Sequence, residues 1–207
     1  MLQIDIKKTY FFENYKFKNY VMLEDDEKQQ MLEWRNHEDI RRNMYNTQLI
    51  SLDSHMAFIK SLEVRIDRFY WMVCENDRPI GSLNIVDVDW DKGSAELGYY
   101  MAPELLGGGD GIFFIYNILA FIFDVLKLNS LYGATNVENK AAAFIDEYYG
   151  FVKTGKKTLL IHGKEVDFDE HYLTSESFNK ERTEKIKIEN VLKFLREKKK
   201  ASKIINT

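Results

Sequence analysis

The chain contains a single cysteine, Cys74, and therefore no internal disulfide; a reducing cytoplasm fits that usage. Its histidines (37, 55, 162 and 171) show no spacing with Cys74 that resembles a zinc site, and no metal is expected. Lysine and arginine number 29 against 33 aspartates and glutamates, so the chain has no basic excess to condense on nucleic acid. Only 2 prolines and 11 glycines occur in 207 residues, which excludes a collagenous or low-complexity protein. The longest apolar run, Ile112 to Leu128, is broken by Asn117, Asp124 and Lys127 and falls short of the roughly 20 apolar residues of a membrane span. The first twenty residues scatter lysines among aromatics and lack the apolar stretch of a signal peptide. Neither secretion nor membrane attachment is expected.

What is present is a core. Apolar residues make up 45% and aromatics 14%, enough to fold one domain, assigned to residues 1–175. The remainder, 176–207, carries 10 basic and 5 acidic residues, and the spacing of Ile186, Ile188, Val191, Leu192 and Leu195 reads as a helix. Such a charge run reads first as a solvated appendage, with docking on the body or on a partner subunit as the alternative, which leaves a homodimer open.

Local patterns order the elements. Asn19 to Leu23 reads as a strand, and Glu24 to Glu27 supply the acidic start of a helix through Trp34. A second helix starts at Ser51 or Asp53, placing Met56, Phe58, Ile59 and Leu62 on one face. Phe69 to Cys74 and Ile80 to Val88 alternate around a turn as a hairpin does, and Ser94 to Met101 is a third strand, halted by Pro103. Glycines then concentrate in Leu105 to Gly111, between that strand and the long apolar helix. Ser130 to Thr135 is a strand, Asn139 to Tyr149 a helix ended by Gly150, and Thr158 to Tyr172 a closing hairpin.

A glycine turn from strand to helix lets backbone N–H groups approach a phosphate, with the helix dipole adding to the attraction. This turn lacks the Lys-Ser/Thr of a P-loop and does not open the chain, so neither a nucleotide triphosphatase nor a dinucleotide fold is supported.

The strand AELGYYMAP, the glycine turn, the apolar helix, the next strand, then Asn139-Lys140-Ala141-Ala142 and Tyr149-Gly150-Phe151 together resemble the GNAT acetyltransferase superfamily. The resemblance covers about Asn19 to Tyr172. It implies an α/β (α+β) GNAT fold: a mixed, mostly antiparallel central sheet flanked by helices, splayed to admit acetyl-CoA as co-substrate. The family's pyrophosphate turn, Q/R-x-x-G-x-G/A, falls on Leu106, Gly107, Gly108, Gly109, Asp110 and Gly111, with Leu106 in place of the leading Gln or Arg. The same resemblance puts Tyr99, Met101 and Asn139 on the cofactor.

Trp34-Arg35-Asn36-His37, Met44-Tyr45-Asn46, Ile50-Ser51, His55 to Phe58, Gly81-Ser82 and Gly98-Tyr99-Tyr100 narrow it further. They resemble the nucleotide-sugar N-acetyltransferases of the pseudaminic acid pathway, which acetylate the 4-amino group of a UDP-linked 4-amino-4,6-dideoxy sugar. By position, Arg35, Met44, Tyr45, His55 and Tyr100 are implied to hold the acceptor, and Ser82 to lie near the transfer. Each has a plainer reading as core packing, a helix cap or a solvated helix end.

Transfer needs a neutral amine, for which Glu96 or His55 is the available base, and a polarised carbonyl, for which the N–H groups of Gly98 to Met101 serve. It also needs a route for the thiolate. The family places a tyrosine seven residues after the helix asparagine; here that position is Asp146. Asp146 protonated by burial, Tyr149 one turn further along, or water remain open, with Tyr149 ahead. Two other readings stay open: another acceptor (a protein N-terminus or a polyamine), and a GNAT-like CoA-binding protein without catalysis.

Overall fold

A computed structural model describes residues 4–180 and 182. Strands β1 (Tyr10–Phe12), β2 (Tyr15–Asn19), β3 (Phe69–Glu75), β4 (Arg78–Asp89), β5 (Ser94–Met101), β6 (Ser130–Asn136), β7 (Val152–Ile161) and β8 (Lys164–Thr174) form one sheet in the order β1-β2-β3-β4-β5-β6-β8-β7. The helices are α1 (Asp25–Asn36), α2 (Glu38–Arg41), α3 (Leu52–Ser61), α4 (Gly111–Ala120) and α5 (Lys140–Tyr148). Every strand pair is antiparallel except β5 with β6.

The local signals explain most boundaries. The hairpin β3–β4 turns at Asn76 and Asp77 with φ of 48° and 64°, the left-handed pair that matches strand twist. Glu27 Oε2 accepts from the Glu24 N–H at 2.8 Å, closing the start of α1. The Ser51 hydroxyl caps α3, and Asn139 Oδ1 accepts from Ala142 N at 3.2 Å to start α5.

Two expectations are corrected. The N-terminal strand is β2, ending where the expected one began; Tyr20–Met22 is a single 3₁₀ turn capped by the Asn19 side chain. Tyr15, Phe17 and Asn19 face inward while Lys16 and Lys18 alternate outward, a period-2 pattern in YKFKN. The short helix α2 was not expected; His37 Nδ1 accepts from Asp39 N at 3.3 Å to begin it.

The sheet is buried on both faces. Trp71 and Val73 of β3 enter one core with Phe114, Ile115, Ile118 and Phe121; Met72 and Cys74 enter the other with Met31, Trp34 and Ile59. From Phe114 to Ala120 every residue of helix α4 is buried, which is why its apolar residues fall on all sides. It runs into one π turn, Phe121–Val125, whose Phe121 stacks on Phe17 with ring centres 3.9 Å apart. The core continues past residue 175: Phe178 is 2% exposed and packs against Tyr116, Phe123 and Tyr149. Among the described residues no helix is long and apolar enough to cross a membrane. The helical pattern from Ile186 to Leu195 lies outside the described residues.

Candidate active site

The parallel pair β5–β6 is joined only from Ser94–Ser130 to Glu96–Tyr132. Beyond it the strands part, and a cavity of about 880 Å³ occupies the opening, lined on one side by Leu97 to Tyr100 and on the other by Gly133 to Asn136. Backbone amides along the parted edge of β5 are thereby released from ladder pairing with β6, and such groups need partners.

Three side chains from α1 and α2 fasten the segment 43–51 across this cavity. Asn36 pairs with both backbone groups of Ile50 (2.8 and 2.9 Å), Arg35 Nη2 donates to the Asn46 carbonyl (2.7 Å) and Arg41 Nη1 to the Thr47 carbonyl (2.6 Å). The motif Trp34-Arg35-Asn36 thus builds a wall before it can touch any ligand. Arg35 Nη1 is buried, has no hydrogen-bond partner among the described residues, and belongs to a residue that lines the cavity. Burial lowers the Arg35 pKa, and the nearby tyrosines pull it back up.

Ten of the expected residues converge on the cavity. Arg35, Met44, Tyr45, His55 and Ser82 line it, as do Glu96, Tyr99, Tyr100, Asn139 and Asp146. Ser82 Oγ lies 2.8 Å from the Tyr20 hydroxyl, which is 3.2 Å from that of Tyr100, itself donating to the Met31 carbonyl at 3.4 Å. His55 Nε2 sits 3.1 Å from the Lys28 carbonyl; a carbonyl only accepts, so Nε2 carries the proton and Nδ1 the lone pair. Burial pulls the His55 pKa down, keeping the ring neutral.

Glu96 is half-buried, and burial followed by the Asp87 charge pushes its carboxyl up, against Lys157 and a hydrogen bond from Tyr45. Tyr45 in turn is pushed to about 12, first by burial and then by Glu96. Tyr45 packs edge-on against Phe168 of β8, with Lys157 Nζ 4.8 Å above its ring.

The remaining expected residues fall elsewhere. Met101 and the segment Leu106, Gly107, Gly108, Gly109, Asp110, Gly111 are not in the cavity lining. They adjoin it through α5, since a Cβ on Gly111 would come 3.1 Å from Ile145 and 3.7 Å from Met101. Gly107 and Gly109 have φ of +74° and +81°, which favours glycine, and Asp110 takes the cap position of α4.

Tyr149 is corrected. It is not among the residues that line the cavity; α5 ends there in a Schellman turn, with Phe151 N bonded to the Asp146 carbonyl (2.9 Å) and Gly150 N to that of Glu147 (3.0 Å). Tyr149 caps the end of α5 with its N–H still on the Ile145 carbonyl (3.0 Å), is 2% exposed, and donates its hydroxyl to the Ile112 carbonyl at 2.6 Å. Asp146 itself is buried and lines the cavity. Its Oδ2 accepts from Thr135 Oγ1 at 2.6 Å and lies 3.6 Å from His171 Nε2. Desolvation raises its pKa, while Thr135 and His171 oppose the rise.

Tyr20, Thr135 and His171 were not singled out from sequence. The spacing of Thr135 and His171 carries no signal, because β8 joins the sheet between β6 and β7 and sets His171 opposite Gly133 only in three dimensions.

Comparison with known proteins bears on this site. A family model described as an acetyltransferase (GNAT) domain matches residues 21–152. The acetyltransferase PseH of Campylobacter jejuni (strain 81-176) is 31% identical over 127 residues, 61% of this chain and 78% of that protein. A crystal structure of Campylobacter jejuni PseH in complex with acetyl coenzyme A superposes with a TM-score of 0.61 at 24% identity, covering 78% of this chain and 99% of that one. The spermidine N-acetyltransferase of Vibrio cholerae, in complex with CoA and spermine, superposes with a TM-score of 0.72 at 21% identity, covering 81% and 99%.

Proposed function

The chain belongs to the GNAT acetyltransferase family and is an acetyl-CoA-dependent N-acetyltransferase, and we propose that its acceptor is the 4-amino group of a UDP-4-amino-4,6-dideoxy sugar. Acetyl and acceptor meet in one ternary complex at the parted strands. The residues present fit acetyl-CoA: a turn with two positive-φ glycines at the start of α4, next to a cleft between strands that share only three paired positions. In this reading the amides from Gly107 to Gly111 hold the pyrophosphate, and Asn139, Tyr99 and Met101 flank the pantetheine arm. The bound thioester supplies the acetyl group. Freed N–H groups of β5 polarise its carbonyl.

The observation that carries the acceptor class is Arg35, with a buried Nη1 that has no partner among the described residues. A buried guanidinium nitrogen calls for an acceptor, and a diphosphate offers one bidentately. The two carboxyl groups of the cavity, Glu96 and Asp146, are both pushed toward their neutral forms. A polyamine would meet the Arg35 cation in the same cavity. Met44, Tyr45 and Tyr100 enclose the nucleotide and sugar, while Ser82 orients the group near the amine. Glu96, directly or through water, takes the amine proton; the neutral His55 is the second candidate.

The test is release of CoA thiol from acetyl-CoA with UDP-4-amino-4,6-dideoxy-N-acetyl-altrosamine, spermidine and an N-terminal peptide offered separately. Release with the sugar alone is expected. Release with spermidine or the peptide instead overturns the acceptor and keeps the acetyltransferase.

A further inference from the structure

The expulsion of a thiolate leaves one proton to be supplied, and the residue that sequence favoured for it, Tyr149, is sealed in the core. Asp146 is not. It stands in the cavity wall on α5, beside Thr135 of β6, one residue from Ile145, which abuts the start of α4 at Gly111. His171 of β8 faces it across 3.6 Å, and that Nε2 has no hydrogen-bond partner among the described residues.

We propose that Asp146 is the acid that protonates the departing CoA sulfur, and that His171 and Thr135 are positioning residues that steady the carboxylate left behind. This rests on the reading of the cavity as the place of acetyl transfer. As the amine nitrogen bonds to the carbonyl carbon, the carbon–sulfur bond breaks and Asp146 gives its proton to sulfur. The proton lost by the amine leaves through Glu96 or water, and solvent reprotonates Asp146, so the cycle closes without another reactant. Thr135 occupies Oδ2 as a donor, which keeps the carboxyl in one orientation.

Burial raises the Asp146 carboxyl and so favours its protonated form. The ionisable groups around it are Tyr99 of β5, which faces it, and His171 of β8. Beyond His171 stands Asp169, whose carboxylate is bound by Lys153 of β7 at 2.5 Å. Thr135 and His171 both pull the Asp146 value down. Removing either therefore raises it further, and the high-pH fall in kcat must move to higher pH.

The experiment combines kinetics and infrared spectroscopy. Asp146→Asn is expected to lower kcat by about 10²- to 10⁴-fold, the usual worth of a general acid, with KM for acetyl-CoA unchanged. His171→Gln and Thr135→Val are each expected to displace the basic limb of kcat upward, a shift that loss of structure alone does not produce. Independently of turnover, the difference spectrum of the free wild-type protein against Asp146→Asn is expected to contain a protonated-carboxyl stretch at neutral pH. Wild-type kcat in Asp146→Asn, absence of that band, or a basic limb unmoved in both other variants overturns the proposal. If the wild type releases thiol with no amine at all, the substrate reading falls alone, because hydrolysis expels the same thiolate, and the Asp146→Asn rate and the infrared band still test the acid role.

Discussion

At the scale of single residues, the site is a set of groups whose charge states are set by burial. Tyr45 shows how one contact tunes another: its hydroxyl holds the Glu96 carboxyl down against the desolvation that raises it. Tyr45→Phe removes that opposition, so the Glu96 value rises. A base works only when deprotonated, so the acid limb of kcat/KM is expected to move to higher pH; an unmoved limb would take Glu96 out of the role. Sequence brought Glu96, Ser82, His55 and Asp146 to notice because each sits in a motif or at a motif's broken position. It could not separate Tyr149 from Asp146, since three residues along a helix normally share a face. In the structure Tyr149 is turned into the core with its hydroxyl on the Ile112 carbonyl, while Asp146 lines the cavity. His171 had no such signal.

At the scale of elements, function depends on where the sheet opens. The β3–β4 hairpin, the capped helices and the β5–α4 turn were legible because turn and cap chemistry is local. The strand β2 was displaced by a few residues because Tyr20 to Met22 are as apolar as a strand yet form a 3₁₀ turn. The insertion of β8 beside β6 is a long-range pairing that no local pattern encodes. Close approach in the sheet gives an element-level test. A Cβ on Gly81 of β4 would lie 2.4 Å from the Tyr100 carbonyl oxygen and 2.7 Å from Phe114 Cζ. Backbone cannot yield as a side chain does, so Gly81→Ala is expected to destabilise the fold by about 3 kcal/mol, the upper range of overpacking, in urea unfolding. An unchanged midpoint would contradict the packing of β4 against β5 and α4.

At the scale of the whole molecule, one domain carries both halves of the chemistry, and the boundary drawn from charge at residue 175 falls inside its core. Ser175 to Lys180 is helical, and Phe178 fills a site among three aromatic rings. Arg182 then pairs with Asp124 at 2.5 Å, tying this segment to the π turn after α4. Phe178→Ala is expected to cost about 3 to 5 kcal/mol, as other buried aromatic truncations do. A loss under about 1 kcal/mol, within the range of surface changes, would show the segment to be an appendage after all. The composition that suggested a solvated extension describes the lysine-rich end, whereas the apolar residue that docks comes before it.

The claim on which these scales converge is that the parted strands bring acetyl-CoA to the amine of a nucleotide sugar anchored through Arg35. The most direct measurement is the structure of the product, by NMR and mass spectrometry, after incubation of the chain with acetyl-CoA and the UDP-4-amino sugar. The account predicts a single acetyl group on the nitrogen at C4, with the UDP moiety intact. An unmodified sugar beside acetylated spermidine under the same conditions would contradict it.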